Sequence, residues 1–150
     1  MTEEEYQNRL PSEICDRIEV LSEEGNQCFD AEDYQGAIAI WKRALSLIPA
    51  PRNTYGESQW LETAIGDAYF MTEDYANALA HLLNAKANIE RNAYENPFIM
   101  LRVGQAFFEQ EQPDEAREYL LRAYMFEGEE IFESEHEKYL DFLKREVELD

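Results

Sequence analysis

The side chains with the widest chemical range in this sequence are two histidines, two cysteines and 33 carboxylates. Turning such groups into a catalytic or metal site takes a fixed spacing, and those spacings are missing. There is no His-x-x-x-His, no CxxC, no GxSxG and no Gly-rich phosphate loop. His81 is expected on a surface face and His136 at a helix start, each without a partner of its own kind. The stretch Asp30-Ala31-Glu32-Asp33-Tyr34-Gln35-Gly36 has the acidity of a calcium loop. It lacks the alternating ligands and the terminal Glu that such a loop needs. The same Glu-Asp-Tyr recurs at 73–75, which reads as a turn between helices. Carboxylate pairs are unavoidable at this composition and carry no signal. The expectation is a protein with no catalytic residue, no metal and no cofactor: not an enzyme.

Cys15 and Cys28 fall in one predicted helix, where 13 residues at about 1.5 Å each separate them by roughly 20 Å. A disulfide needs Cα atoms within about 7 Å, so this pair cannot close on itself. Two reduced thiols fit a cytoplasmic protein. The acidic start, with Glu3, Glu4 and Glu5, is unlike a secretory signal. No run approaches the roughly 18 apolar residues of a membrane span.

At 150 residues the chain fits a single domain, 1–150, able to bury a core without staples. Its net charge is −20, from 13 Lys and Arg against 33 Asp and Glu. Phosphates are repelled by that charge, so neither nucleic acid nor an anionic membrane is an expected partner, whereas a basic protein is. Hydrophobic residues at 45% and aromatics at 13% place it among folded chains.

The elements that position these groups are written three times. Gly25, Cys28, Glu32-Asp33-Tyr34, Ala37, Trp41 and Ala44 align with Gly66, Tyr69, Glu73-Asp74-Tyr75, Ala78, Leu82 and Ala85. Both align with Gly104, Phe107, Glu111-Gln112-Pro113, Ala116, Leu120 and Ala123. From Gly to the last Ala the spacing is 19 in each copy, and the copies start 41 and then 38 residues apart. Apolar residues recur at i and i+3/i+4 in Ala37, Ile38, Trp41, Ala44, Leu45 and Ile48, and again in Ala78, Leu79, Leu82, Ala85 and Ile89. No stretch alternates as a strand does. Pro49 to Gly56 reads as a loop, and Asn96 before Pro97 as an N-cap with proline at the first helical position. Ser134 with Glu137 reads as a capping box opening a last helix, about 134–148. Its stripe of Tyr139, Leu140, Phe142, Leu143 and Val147 is expected to cover the end of the third unit.

This pattern resembles the tetratricopeptide repeat, a helix–turn–helix unit, over repeats at about 18–51, 59–92 and 97–130. The resemblance implies an all-α, right-handed α-solenoid of three helix pairs plus the C-terminal capping helix. It implies close approach of the paired helices at the three glycines, answered by Ala37, Ala78 and Ala116. It also implies a concave groove lined by the first helix of each pair. By register the partner-binding residues are then Glu19, Glu23, Asn26, Phe29 and Asp30, followed by Trp60, Asp67 and Phe70, and by Phe98, Arg102, Gln105 and Phe108. Phe29, Phe70 and Phe108 share one equivalent position. They form either an apolar groove floor with an acidic rim or rings packed into the core. Members that hold a ligand's C-terminal carboxylate use Lys and Asn there. Here Ser22, Asn26, Ala64, Phe98 and Arg102 stand in those places, which disfavours that subclass.

The function expected is stoichiometric protein binding. A small repeat array with a cap, strongly acidic, fits an immunity protein that neutralises a cognate basic, nuclease-like bacterial toxin, with charge steering speeding association. The layout is also similar to that of small bacterial tetratricopeptide-repeat proteins encoded beside polymorphic toxins. An adaptor or chaperone for a secreted or assembled protein is the alternative, and the oligomeric state is open. The acidic stretch Glu127 to Glu137 reads either as a solvated helix start or as a mimic of nucleic acid.

Overall fold

The structure, a computed structural model, describes residues 9–88 and 96–149. Among the described residues the chain forms seven α-helices and no strand. They are α1 (Ser12–Asp30), α2 (Tyr34–Ser46), α3 (Gly56–Met71), α4 (Tyr75–Lys86), α5 (Pro97–Glu109), α6 (Pro113–Glu127) and α7 (Glu137–Glu146). Short 3-10 turns at Arg52–Thr54 and Gly128–Phe132 precede α3 and follow α6. The helices α1/α2, α3/α4 and α5/α6 form hairpin pairs that stack in sequence into a right-handed solenoid, and α7 packs at its C-terminal end. The end expected for the second repeat, 89–92, and the first eight residues lie outside the described residues.

One turn geometry joins the helices of every pair. Glu32, Glu73 and Glu111 take left-handed backbone with φ of 61°, 63° and 59°. In each, the N–H of the following residue reaches back to the carbonyl five residues earlier: Asp33 to Cys28 at 2.8 Å, Asp74 to Tyr69 at 3.0 Å, Gln112 to Phe107 at 3.0 Å. This is the Schellman closure, satisfying carbonyls the helix end leaves open. The next helix begins at once. The Asp33 carboxylate accepts from Gly36 N at 3.0 Å, and that of Asp74 from Asn77 N at 3.3 Å. The third copy has no such side-chain cap at Gln112; Pro113, which lacks the orphan N–H, stands at the first helical position. Asn96 caps α5 through Ile99 N at 3.2 Å, as its sequence predicts.

The glycines mark the close approaches. A Cβ on Gly25 would lie 2.2 Å from Trp41 Nε1, on Gly66 2.7 Å from Leu82 Cγ, and on Gly104 2.8 Å from Leu120 Cδ2. The large side chains of the second helices lean directly over the glycines, and at Gly66 the Ala78 carbonyl oxygen stands 3.2 Å from the same point. The alanines are fully buried around that contact.

The capping helix is corrected. It starts at Glu137, three residues later than expected, because 133–135 are in turns after the 3-10 segment. His136 Nδ1, not Ser134, accepts the first-turn N–H, that of Lys138 at 3.1 Å. The expected stripe does bury: Tyr139, Phe142 and Leu143 join the core of the last repeats, with Leu140 and Val147 packed against it.

Candidate functional site

Helices α1, α3 and α5 are the first helices of the three stacked pairs, and each carries a row of residues at i, i+4, i+7 and i+11. Row one is Glu19, Glu23, Asn26 and Asp30; row two is Trp60, Ala64, Asp67 and Met71; row three is Phe98, Arg102, Gln105 and Glu109. The spacing puts each set on one helix face. The rows are equivalent by sequence register, yet the structure treats them differently.

Row one is open. Glu19, Glu23 and Asp30 are exposed, and among the described residues none of them is in an ion pair. Row two is open and apolar at both ends: Trp60 and Met71 are each 45% exposed. Trp60 is held edge-on by Trp41, whose Nε1 donates to Ser22 O at 3.2 Å; the two ring centroids lie 5.9 Å apart. Asp67 is not free to steer a partner, because it accepts from Arg102 Nε at 2.8 Å.

Row three is closed by the chain itself. Arg102 is 8% exposed and Gln105 is fully buried. The guanidinium lies between the rings of Phe70 and Phe98, 4.8 and 4.9 Å from their centroids. Its Nη1 donates to Gln105 Oε1 at 2.7 Å and to Glu135, and Gln105 Nε2 donates to the same Glu135 oxygen at 2.8 Å. Burial works against the charge of Arg102, but the carboxylates of Asp67 and Glu135 outweigh it and hold its pKa above the ordinary value. One turn on, Glu109 accepts from the Tyr139 hydroxyl at 2.8 Å and pairs with Lys138. Burial and that bond to Glu109 push the Tyr139 phenol up.

The shared phenylalanine position follows the same division. Phe29 meets Tyr34 edge-on at 5.1 Å, and Phe70 meets Tyr75 at 5.4 Å. In the third copy that tyrosine is replaced by Pro113, and Phe108 is met at 5.4 Å by Tyr139 of α7, with Phe142 at 5.1 Å on another side. All three rings are half-buried, and each meets a neighbouring ring. Arg102, Gln105 and Phe108, expected in an open groove, are therefore engaged by segment 132–142. Sequence reasoning missed Glu135 and Tyr139 as groove residues. The one signal for Tyr139 was the missing tyrosine at Pro113.

This closure is not a light lid. Phe132, Tyr139, Phe142 and Leu143 are all under 8% exposed. At about 1.5–3 kcal/mol for each large side chain buried, they amount to on the order of 6–12 kcal/mol. That is comparable with the whole stability of a domain, about 5–15 kcal/mol.

Charge follows the same geometry. Helix α1 carries Glu13, Asp16, Glu19, Glu23, Glu24 and Asp30 against Arg17, whereas α2 and α4 hold Lys42, Arg43 and Lys86 and no acid at all. Row one therefore lies on the most acidic of the three first helices. His81, expected to stand alone, instead pairs with Glu62 at 2.7 Å and stacks on Tyr69, tying α3 to α4. Cys15 and Cys28 are unpaired thiols on α1. Among the described residues no three His, Cys, Asp or Glu side chains gather as metal ligands.

No family model matches the chain, and no curated protein matches it. Solved structures do. The first TPR domain of Spaghetti (RPAP3) bound to the HSP90 peptide SRMEEVD superposes with a TM-score of 0.65 at 22% identity, covering 87% of this chain and 90% of that one. The TPR domain of Arabidopsis OM64 gives 0.64 at 18% identity, over 85% of this chain and 92% of that one. The Sgt2 TPR domain from Aspergillus fumigatus gives 0.62 at 20%, over 85% and 75%. The chain has the tetratricopeptide-repeat fold, as its threefold register implied.

Proposed function

We propose that this chain is a non-catalytic protein-binding module, and specifically an immunity protein that neutralises a cognate basic, nuclease-like bacterial toxin in the cytoplasm. The observation that carries the reading is the open part of the groove. In a chain of net charge −20, it offers the exposed Trp60 and Met71 on α3 and the unpaired carboxylates of Glu19, Glu23 and Asp30 on α1, at equivalent positions of successive repeats. Exposed aromatic anchors supply binding energy, and an acidic rim supplies rate and selectivity. Nuclease domains are basic because they approach phosphate, so they are attracted by such a surface. The mechanism is occlusion: one copy covers the cationic face that a nucleic acid would use.

An adaptor or chaperone role is the second reading, favoured by the likeness to a TPR domain whose structure holds a bound peptide. The test is co-expression with the product of the adjacent gene. Rescue of growth from a toxic neighbour, with inhibition saturating at a fixed stoichiometry, supports immunity. A neighbour that is harmless but insoluble without this chain supports chaperoning. A toxic neighbour whose activity is unchanged by a molar excess of this chain refutes the immunity reading.

A further inference from the structure

We propose that segment 132–142 is a permanent occupant of the groove's third row, and that a partner therefore docks on rows one and two alone, through a short cationic segment bearing an apolar side chain. The proposal rests on the groove being the binding surface and goes on to say what part of it is available and to what chemistry. Three of the four row-three positions bond to this segment or its flank: Arg102 and Gln105 to Glu135, Glu109 to Tyr139 and Lys138. The fourth, Phe98, packs on the Arg102 guanidinium. All three polar positions of that row are engaged within the chain, and Phe98 is half-buried.

The remaining surface selects its occupant by chemistry. Arg102 is the single cation among the twelve row positions, and two carboxylates, Asp67 and Glu135, already neutralise it. A partner carboxylate finds no counter-charge in the groove and meets Glu19, Glu23 and Asp30 instead. A lysine or arginine finds three unpaired carboxylates along α1, and an apolar side chain finds Trp60, Ala64 and Met71 along α3. The rows span eleven residues from first position to last, about 16 Å of helix, which matches roughly five residues of extended chain. The partner element is thus short.

The test uses the full chain and two labelled heptapeptides at 0.15 M salt, one alternating lysine and leucine, the other SRMEEVD. The first is expected to bind and the second not to. Trp60→Ala, and separately Glu19→Gln with Glu23→Gln, should each weaken the cationic peptide about tenfold or more, the size of effect an aromatic anchor or a charge pair carries. Glu115→Gln with Glu127→Gln on α6 changes net charge equally and should weaken it less than about twofold. Hydrogen exchange of the α7 amides should be unchanged at saturating peptide. The proposal falls if the two double variants weaken binding equally, if Trp60→Ala has no effect, or if the cationic peptide does not bind. It falls also if the acidic peptide binds, or if α7 loses protection. Should the peptides fail while a whole protein partner still responds to Trp60→Ala, the two-row proposal falls and the groove reading stands. If neither responds, both fall.

Discussion

Replacing Arg102 with methionine tests what holds the third repeat shut. The side chain keeps much of its length and apolar bulk but loses the charge that Asp67 and Glu135 share. Those carboxylates, 19% and 13% exposed as side chains, then face each other across an apolar slot between Phe70 and Phe98. Fully buried Gln105 keeps its bond to Glu135 but loses the donor to its own Oε1. Breaking a buried pair by removing one partner costs about 3–5 kcal/mol. Both carboxylates retain some water, which places Arg102→Met nearer the lower end, about 3 kcal/mol. With a urea slope of about 2 kcal/mol per molar, the midpoint should fall by about 1.5 M. Adding Glu135→Gln removes one uncompensated charge and should recover about 1–2 kcal/mol, a coupling that a double-mutant cycle measures directly. Amides of α7 should exchange faster in Arg102→Met while those of α2 keep their protection, since the damage sits at one end of a stack. A loss under about 1 kcal/mol, with α7 exchange unchanged, would refute the claim that this network fastens the C-terminal segment.

Gly66→Ala should destabilise by up to about 2 kcal/mol in urea melts: the new Cβ meets Leu82 Cγ at 2.7 Å, overpacking costs about 1–3 kcal/mol, and roughly 1 kcal/mol of helix propensity offsets part of it. Glu73→Gly should instead stabilise by about 0.5–1 kcal/mol, because its φ of 63° costs a side-chain-bearing residue about 1–2 kcal/mol and glycine returns part of that as chain entropy; a lower thermal midpoint would show the turn is not left-handed. Tyr139→Phe should flatten the alkaline limb of stability. The folded phenol is raised above its unfolded value, so its contribution is intact below about pH 10 and declines above it, by up to about 1.4 kcal/mol per pH unit as the unfolded chain gives up the proton first. Denaturant midpoints from pH 9 to 11 check this, and an unchanged slope in the variant counts against the bond to Glu109.

The parts of this fold legible in the sequence are those set by neighbours within one helix pair. Gly25, Gly66 and Gly104, with Trp41, Leu82 and Leu120 16 positions on, mark the pairing because each contact recurs at fixed spacing. Asp33 and Asp74 mark helix starts because a capping carboxylate reaches only a few residues forward. The third row of the groove was not legible. Arg102 reads as one more polar residue on α5, and its enclosure depends on Asp67 and Glu135, 35 and 33 residues away. Nothing local distinguishes Glu135 from the other acids between Glu127 and Glu137. The Ser134 capping box failed for a similar reason, since the 3-10 turn and the docking of Glu135 fix the backbone there before α7 can begin.

Copy three departs from the repeat at Pro113, and that departure explains why the groove ends where it does. In copies one and two, a tyrosine at the start of the second helix closes over the phenylalanine at the end of the first. Proline serves the backbone at that helix start but brings no ring. Phe108 would be left partly uncovered, and it is Tyr139 that covers it, arriving from α7 with Phe142 beside it. To reach that place, α7 must cross the end of α5, which brings Glu135 over Arg102 and Tyr139 over Glu109. Capping the solenoid and closing the third row are therefore one packing event.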